Sequence, residues 1–168
     1  MIRRTIQLTL WLLLLLGLFG LGRTNGQSVS TLSVGGEVAH PLKLGAADFA
    51  KLPHRAIKTR DHDGKEAAFE GVELAEILQR AGVNSGEHLR GRDLALFLVV
   101  EAADGYRAVF ALPELDPAFT DRVVLLADKR DGKALTEKEG PLRIVVADEK
   151  RQARWVRQVV SLTIHRAD

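Results

Sequence analysis

Between Thr59 and Lys65 the chain reads Arg60-Asp61-His62-Asp63-Gly64, an imidazole flanked by two carboxylates and followed by a turn residue. Such a cluster carries donors suited to a divalent metal, and alternating carboxylates are how a calcium loop begins. A calcium loop also needs a third alternating oxygen ligand, a glycine at its sixth position and a bidentate glutamate at its twelfth. Counted from Asp61, glycine falls fourth and Glu70 tenth, which argues against calcium. Two readings stay open: a solvated turn, or a site in which His62 supplies a ligand or a polar contact. The other histidines, His40, His54, His88 and His165, lack the short spacings of zinc sites. There is no Gly-x-Ser-x-Gly elbow for a serine nucleophile. Nor does a glycine-rich turn join a strand to a helix with the spacing of a phosphate loop or dinucleotide fingerprint.

The elements around this cluster follow from periodicity and punctuation. Residues 31–34 and 42–44 predict short strands about the Gly35-Gly36 turn, because paired glycines permit positive φ. Residues 45–52 predict one or two helical turns stopped by Pro53, which lacks the amide needed to continue. Residues 56–59 predict a strand, so the Asp-His-Asp-Gly cluster is a turn at its end. Leu74, Ile77, Leu78 and Ala81 recur at spacings of three and four and predict a helix over 72–81, closed by Gly82. After a polar loop over 84–93, runs at 94–100 and 107–111 flank Asp104-Gly105, a hairpin signal. The continuous apolar runs 123–126 and 142–146 predict strands buried on both faces, and a last strand follows a turn at Trp155. Many short strands with one good helix predict an α+β domain, with Leu98, Val100, Val109, Leu125, Ile144, Val146 and Trp155 in its core.

The N-terminus has Arg3 and Arg4, an apolar run over 8–21 and then a polar stretch, the layout of a secretory signal. The expected division is a signal peptide over 1–26 and one domain over 28–168. Export by the general secretion route places the mature protein in the periplasm or outside the cell, with no membrane span once the signal is removed. The apolar run is shorter than the roughly 20 residues of a spanning helix, though an uncleaved anchor is the alternative. Without Arg3, Arg4 and Arg23, 21 basic residues face 22 acidic ones. The sequence pI of about 9.1 is therefore not a nucleic-acid footprint, which needs a clustered basic face. The chain contains no cysteine, so it has neither disulfides nor a lipid-anchoring residue, and stability rests on one hydrophobic core.

Four landmarks stand in order: Phe69-Glu70-Gly71-Val72-Glu73-Leu74, Ala103-Asp104-Gly105-Tyr106-Arg107-Ala108, Gly140-Pro141-Leu142-Arg143-Ile144-Val145-Val146, and Arg154-Trp155-Val156. In that order and spacing the chain, from about Leu32 to Ile164, resembles the oxidoreductase molybdopterin-binding domain of the sulfite oxidase family. One departure is local: the family often has proline after the Leu-Arg-Val-Val-like strand, and this chain has Ala147. The resemblance implies a mixed, β-rich fold of the sulfite-oxidase type and a molybdopterin cofactor. It also implies Arg60, His62, Tyr106, Arg143 and Arg154 as cofactor contacts, guanidinium groups being suited to the pterin phosphate. Three of the landmark residues have a plainer reading: Tyr106 as a core residue with its hydroxyl bonded, Arg143 paired with a carboxylate, and Trp155 as ordinary core. The family's cysteine thiolate, which ligates molybdenum just before the Phe-x-Gly-Val-x-Leu element, has no counterpart here. The sequence thus supports an oxidoreductase-type domain of doubtful catalytic competence; alternatively, it is a non-catalytic module that uses the same cleft for a small anionic ligand or a periplasmic partner protein.

Overall fold

The computed structural model describes residues 31–168; the expected signal segment, 1–26, lies outside them. Alternation of buried and exposed residues builds β1 (Leu32–Gly36), which pairs antiparallel with β2 (Leu42–Leu44). A single helical turn, α1 (Ala46–Phe49), follows and buries Phe49 before Pro53. Next come β3 (Arg55–Arg60) and β4 (Glu66–Glu73), which form an antiparallel hairpin. The one substantial helix among the described residues, α2 (Leu74–Arg80), buries Leu74, Ile77 and Leu78 on one stripe. Gly82, at φ +76°, ends that helix; a Cβ there would lie 2.7 Å from that of Ala39. The chain then runs through β5 (Leu96–Ala102), β6 (Arg107–Ala111), β7 (Val124–Arg130), β8 (Lys133–Ala134), β9 (Arg143–Val146) and β10 (Val159–Arg166).

These strands form two five-stranded sheets. One has the order β2-β1-β10-β5-β6, with β10 parallel to β1 and antiparallel to β5. In the other, β3, β4 and β7 are neighbours in that order. The far edge of β7 pairs with β9 over Val124–Ala127 and with β8 at Lys129 and Arg130. Both sheets contribute to a single buried apolar cluster that includes Leu98, Val100, Leu125, Ile144, Val146 and Trp155. The fold is mixed α+β and rich in strands, as the patterning predicts.

Three local expectations are corrected, and one strand has no counterpart among them. Val72 and Glu73 are not the start of the helix: they stay in β4, opposite Leu126 and Leu125 of β7. Tertiary pairing overrides the helical spacing there. The segment 66–73 is a full strand that its mixed glutamate and apolar composition does not announce. Leu94 and Ala95 belong to a short 3₁₀ turn, Gly91–Ala95, and not to the strand. Val109 is not core but 51% exposed. It lies on β6, an edge strand that turns Ala108 and Phe110 inward and Arg107, Val109 and Ala111 outward.

One irregularity matters below. Glu70 pairs with Lys129 and Gly71 with Ala127, so Asp128 is an extra residue, a bulge in β7. The close approach demands glycine: a Cβ on Gly71 would fall 2.2 Å from the Leu126 carbonyl oxygen and 2.4 Å from the Ala127 Cα.

Candidate functional site

The turn joining β3 to β4 is closed by the Asp61 amide donating to the Lys65 carbonyl at 2.8 Å and by Gly64 donating to the Asp61 carbonyl at 2.9 Å. This geometry turns the Asp61 side chain inward, where it is 5% exposed, and leaves His62, Asp63 and Gly64 outside. Asp61 Oδ1 accepts from Arg143 Nη2 at 2.9 Å and from the His62 amide at 2.7 Å. Asp61 Oδ2 lies 2.7 Å from Arg130 Nη1. Arg143 comes from β9, is completely buried, and donates its other terminal nitrogen to Glu139 at 2.6 Å. The guanidinium lies 5.3 Å from the Phe69 ring centroid and 5.2 Å from that of Trp155, while those two rings meet edge to face. Burial by itself would raise the Asp61 carboxyl. The hydrogen bonds from Arg143 and His62, with the charges of Arg143 and Arg130, outweigh it and hold the group below its ordinary value.

Beside this buried pair opens a cleft of about 520 Å³, within the size range of small-molecule sites. Three loops and the segment before β10 make its walls. The β3–β4 turn contributes His62, and the β5–β6 hairpin contributes Asp104 and Tyr106. The approach to β9 contributes Lys138, and the stretch before β10 contributes Gln152, Trp155, Arg157 and Gln158. Tyr106 is half exposed, and its hydroxyl donates to the Ala153 carbonyl at 2.7 Å, tying the hairpin to the opposite wall. Gln152 donates to the Arg60 carbonyl, yet its buried Oε1 has no partner. Trp155 is buried, and its indole N–H also lacks an acceptor within the described residues. Buried polar atoms normally find partners, and these two, on residues that line the cleft, have none within the described residues.

The five residues expected at the site do not converge. His62 and Tyr106 line the cleft. Arg60 is joined to it only through its backbone carbonyl. Arg143 lies in the core, spent on Asp61 and Glu139, which is the carboxylate-paired reading of that residue. Arg154 is held by Glu114 at 3.1 Å and Glu149 at 2.6 Å and stacks 4.4 Å from the Phe110 ring centroid. Burial acts to lower the tendency of Arg154 to hold its proton, but the hydrogen bonds it donates to Glu149 and Glu114 reverse this and fix the charge more firmly. The cleft cations are instead Lys138 and Arg157, both exposed and, within the described residues, without a carboxylate partner. Arg157 immediately follows the Arg154-Trp155-Val156 landmark, a signal that could have found it. Nothing in the sequence around Lys138 marks it out.

A strand-rich α+β fold with its cleft at the loop ends, between a β-hairpin and a Trp-Val segment, is that of a molybdopterin-binding oxidoreductase domain. The chain belongs to the family of the oxidoreductase molybdopterin binding domain, which it matches over residues 25–168. It is similar in structure to the sulfane dehydrogenase SoxCD from Paracoccus pantotrophus, with a TM-score of 0.62 and 21% sequence identity. The similarity covers 80% of this chain and 38% of that one, so this chain spans well under half the length of its neighbour. At that identity the likeness establishes the shared fold. No curated protein sequence matches the chain.

A molybdenum centre of this family draws on a soft, deprotonated thiolate, and the sequence has no cysteine. Asp61, the buried carboxylate of the corresponding turn, has both oxygens engaged by guanidinium groups that would also repel a metal cation. Within the described residues no group of three or more histidine, cysteine, aspartate or glutamate side chains is placed to hold a metal. The residues therefore do not fit a protein-ligated molybdenum. Lys138 and Arg157 bring positive charge to the cleft lining, against one carboxylate, Asp104, whose Oδ1 accepts from the Tyr106 amide at 2.9 Å.

Proposed function

We propose that this protein is an exported, non-catalytic member of the molybdopterin-binding oxidoreductase family. It takes a small phosphate- or carboxylate-bearing ligand in the cleft between His62, Tyr106 and Arg157 and carries no protein-ligated molybdenum. The observation that carries this reading is the state of Asp61. At the turn where the family places its metal ligand, this chain has a carboxylate already saturated by Arg143 and Arg130. The charge that a metal would supply is provided from within the protein.

What remains is recognition. Lys138 and Arg157 supply charge for an anion, and the Trp155 N–H and Gln152 amide oxygen supply orientation. Export is supported by the charged start, apolar run and polar boundary of the N-terminus.

The test is to purify the mature protein from its native host and measure molybdenum by mass spectrometry together with pterin fluorescence. Binding of inorganic pyrophosphate to the same preparation is then followed by calorimetry. The expected result is strongly substoichiometric molybdenum and saturable pyrophosphate binding that Lys138→Ala or Arg157→Ala each weakens about tenfold. Near-stoichiometric molybdenum that is lost on substituting His62 would overturn the reading and reveal a thiolate-free enzyme.

A further inference from the structure

The β7 bulge creates a second feature, which shares no lining residue with the cleft. Because Asp128 is skipped in the pairing with β4, its side chain is freed from the sheet register; bulges commonly re-aim a side chain in this way. Asp128 lines a cavity of about 230 Å³ whose other walls are apolar, formed chiefly by Leu44, Phe49, Leu135, Pro141 and Leu142. The carboxylate is only half engaged. Oδ2 lies 3.4 Å from His54 Nε2, a long contact, whereas Oδ1 is buried with no donor. His54 itself is fixed by donating from Nδ1 to the Leu52 carbonyl at 2.8 Å and by packing edge-on against Phe49.

A buried carboxylate oxygen without a donor is costly, and native structures usually supply such an atom with a partner. Within the described residues the one basic side chain set against this carboxylate is His54, and two lysines are committed elsewhere. Lys129, the next residue of β7, contacts Glu70 at 3.4 Å, and Lys51 contacts Asp48 at 3.6 Å. An apolar chamber with one unsatisfied anionic oxygen selects a ligand that is apolar over most of its surface and carries a single cationic donor. The volume lies below the roughly 300–1,000 Å³ of drug-sized pockets, so the ligand is compact.

We propose that this pocket binds a small primary amine with an apolar body, the ammonium donating to Asp128 Oδ1 and the body packing against Phe49, Leu135 and Leu142. This inference concerns a different part of the molecule from the anion cleft and does not rest on it.

The probe is benzylamine, titrated into the full mature protein and followed by amide shifts in two-dimensional NMR, with benzyl alcohol as a neutral counterpart of the same shape. Saturable shifts are expected at residues 44–49, 128, 135 and 142. Benzyl alcohol and the Asp128→Asn variant should each bind at least about tenfold more weakly, the scale of a lost charge-assisted hydrogen bond. Lys138→Ala should leave the titration unchanged. Should Asp128→Asn fail to fold, as judged by its thermal melt, Ala134→Trp decides, because residue 134 is exposed at the pocket and the indole would fill it. Equal binding of amine and alcohol, undiminished binding to either variant, shifts centred on His62 and Tyr106, or no saturable binding would overturn the proposal.

Discussion

Arg143 Nη2 donates to Asp61 Oδ1 across 2.9 Å, from a guanidinium that is wholly buried to a carboxylate that is nearly so. Residues 82 positions apart thereby close the β3–β4 turn onto β9. Such a pair is maintained at a high desolvation cost, and removing one partner leaves the other charged and uncompensated in the core. Asp61→Asn keeps the shape and one acceptor but removes the charge. It should lower unfolding free energy by about 3 kcal/mol, as read from the urea midpoint at neutral pH. A change below about half a kcal/mol would show that Glu139 alone satisfies Arg143.

The same carboxylate sets an acid dependence. Its folded-state value is held below the ordinary one, the net result of burial opposed by stronger bonds from Arg143 and His62 and the charges of Arg143 and Arg130. Its contribution to stability is therefore fully present above the unfolded-state value, near 3.9, and is lost as pH falls through the folded-state one. Denaturant midpoints taken from about pH 6 down to about pH 3 should show the gap between wild type and Asp61→Asn narrowing only below about pH 4. A gap that is constant over that range would remove Asp61 as the source.

How far the sequence reveals this molecule depends on whether a feature is local. The continuous apolar runs at 123–126 and 142–146 and the Asp104-Gly105 hairpin are local signals, and each marks a strand or hairpin, though β7 runs four residues past its apolar run and β5 begins two residues later than expected. β4 is not local: it exists because β3 and β7 lie on either side of it, and its glutamates hide it from pattern reading. Site residues are harder still. An arginine in sequence does not show whether a carboxylate awaits it, and the partners of Arg143 and Arg154 include residues 82 and 40 positions away. What distinguishes Lys138 and Arg157 is the lack of such a partner, a property of the folded chain alone.

Gly71 illustrates a landmark whose meaning appears only in three dimensions. Its missing side chain lets β4 approach the bulged backbone of β7, where a methyl group would sit within 2.4 Å of two backbone atoms. Backbone cannot yield as a flexible side chain can. Gly71→Ala should therefore cost roughly 2–4 kcal/mol and disturb Asp128. Thermal denaturation with NMR of the Asp128 amide would check both; a melt equal to wild type would mean the bulge relaxes freely.

Packing on the two sheets gives a matched pair of substitutions. Ile144, in the middle of β9, is completely buried, whereas Val109 on the edge strand β6 is half exposed. Ile144→Ala should cost about 2–5 kcal/mol through lost burial and an unfilled cavity. Val109→Ala should stay within about half a kcal/mol, as surface changes do. Comparable losses at both positions would contradict the assignment of β6 to the edge.

The last prediction separates two arginines three positions apart. Arg154 is clamped by Glu114 and Glu149 and stacked on Phe110, so its charge is neutralised and its position structural. Arg157 projects into the cleft with no carboxylate partner in the described residues. Arg154→Ala should cost about 1–3 kcal/mol of stability, because Glu149 is left largely buried without its donor. Any anion affinity measured well below its melting temperature should be untouched. Arg157→Ala should do the reverse: stability within about half a kcal/mol of wild type and clearly weaker pyrophosphate binding. Because exposed charges are screened over about 8 Å at physiological ionic strength, the Arg157 effect should also shrink as salt is raised, which a packing defect would not do. If instead Arg154→Ala abolishes pyrophosphate binding in a folded protein while Arg157→Ala leaves it intact, the anion is held on the Glu114–Glu149 side and the cleft described here is not its site.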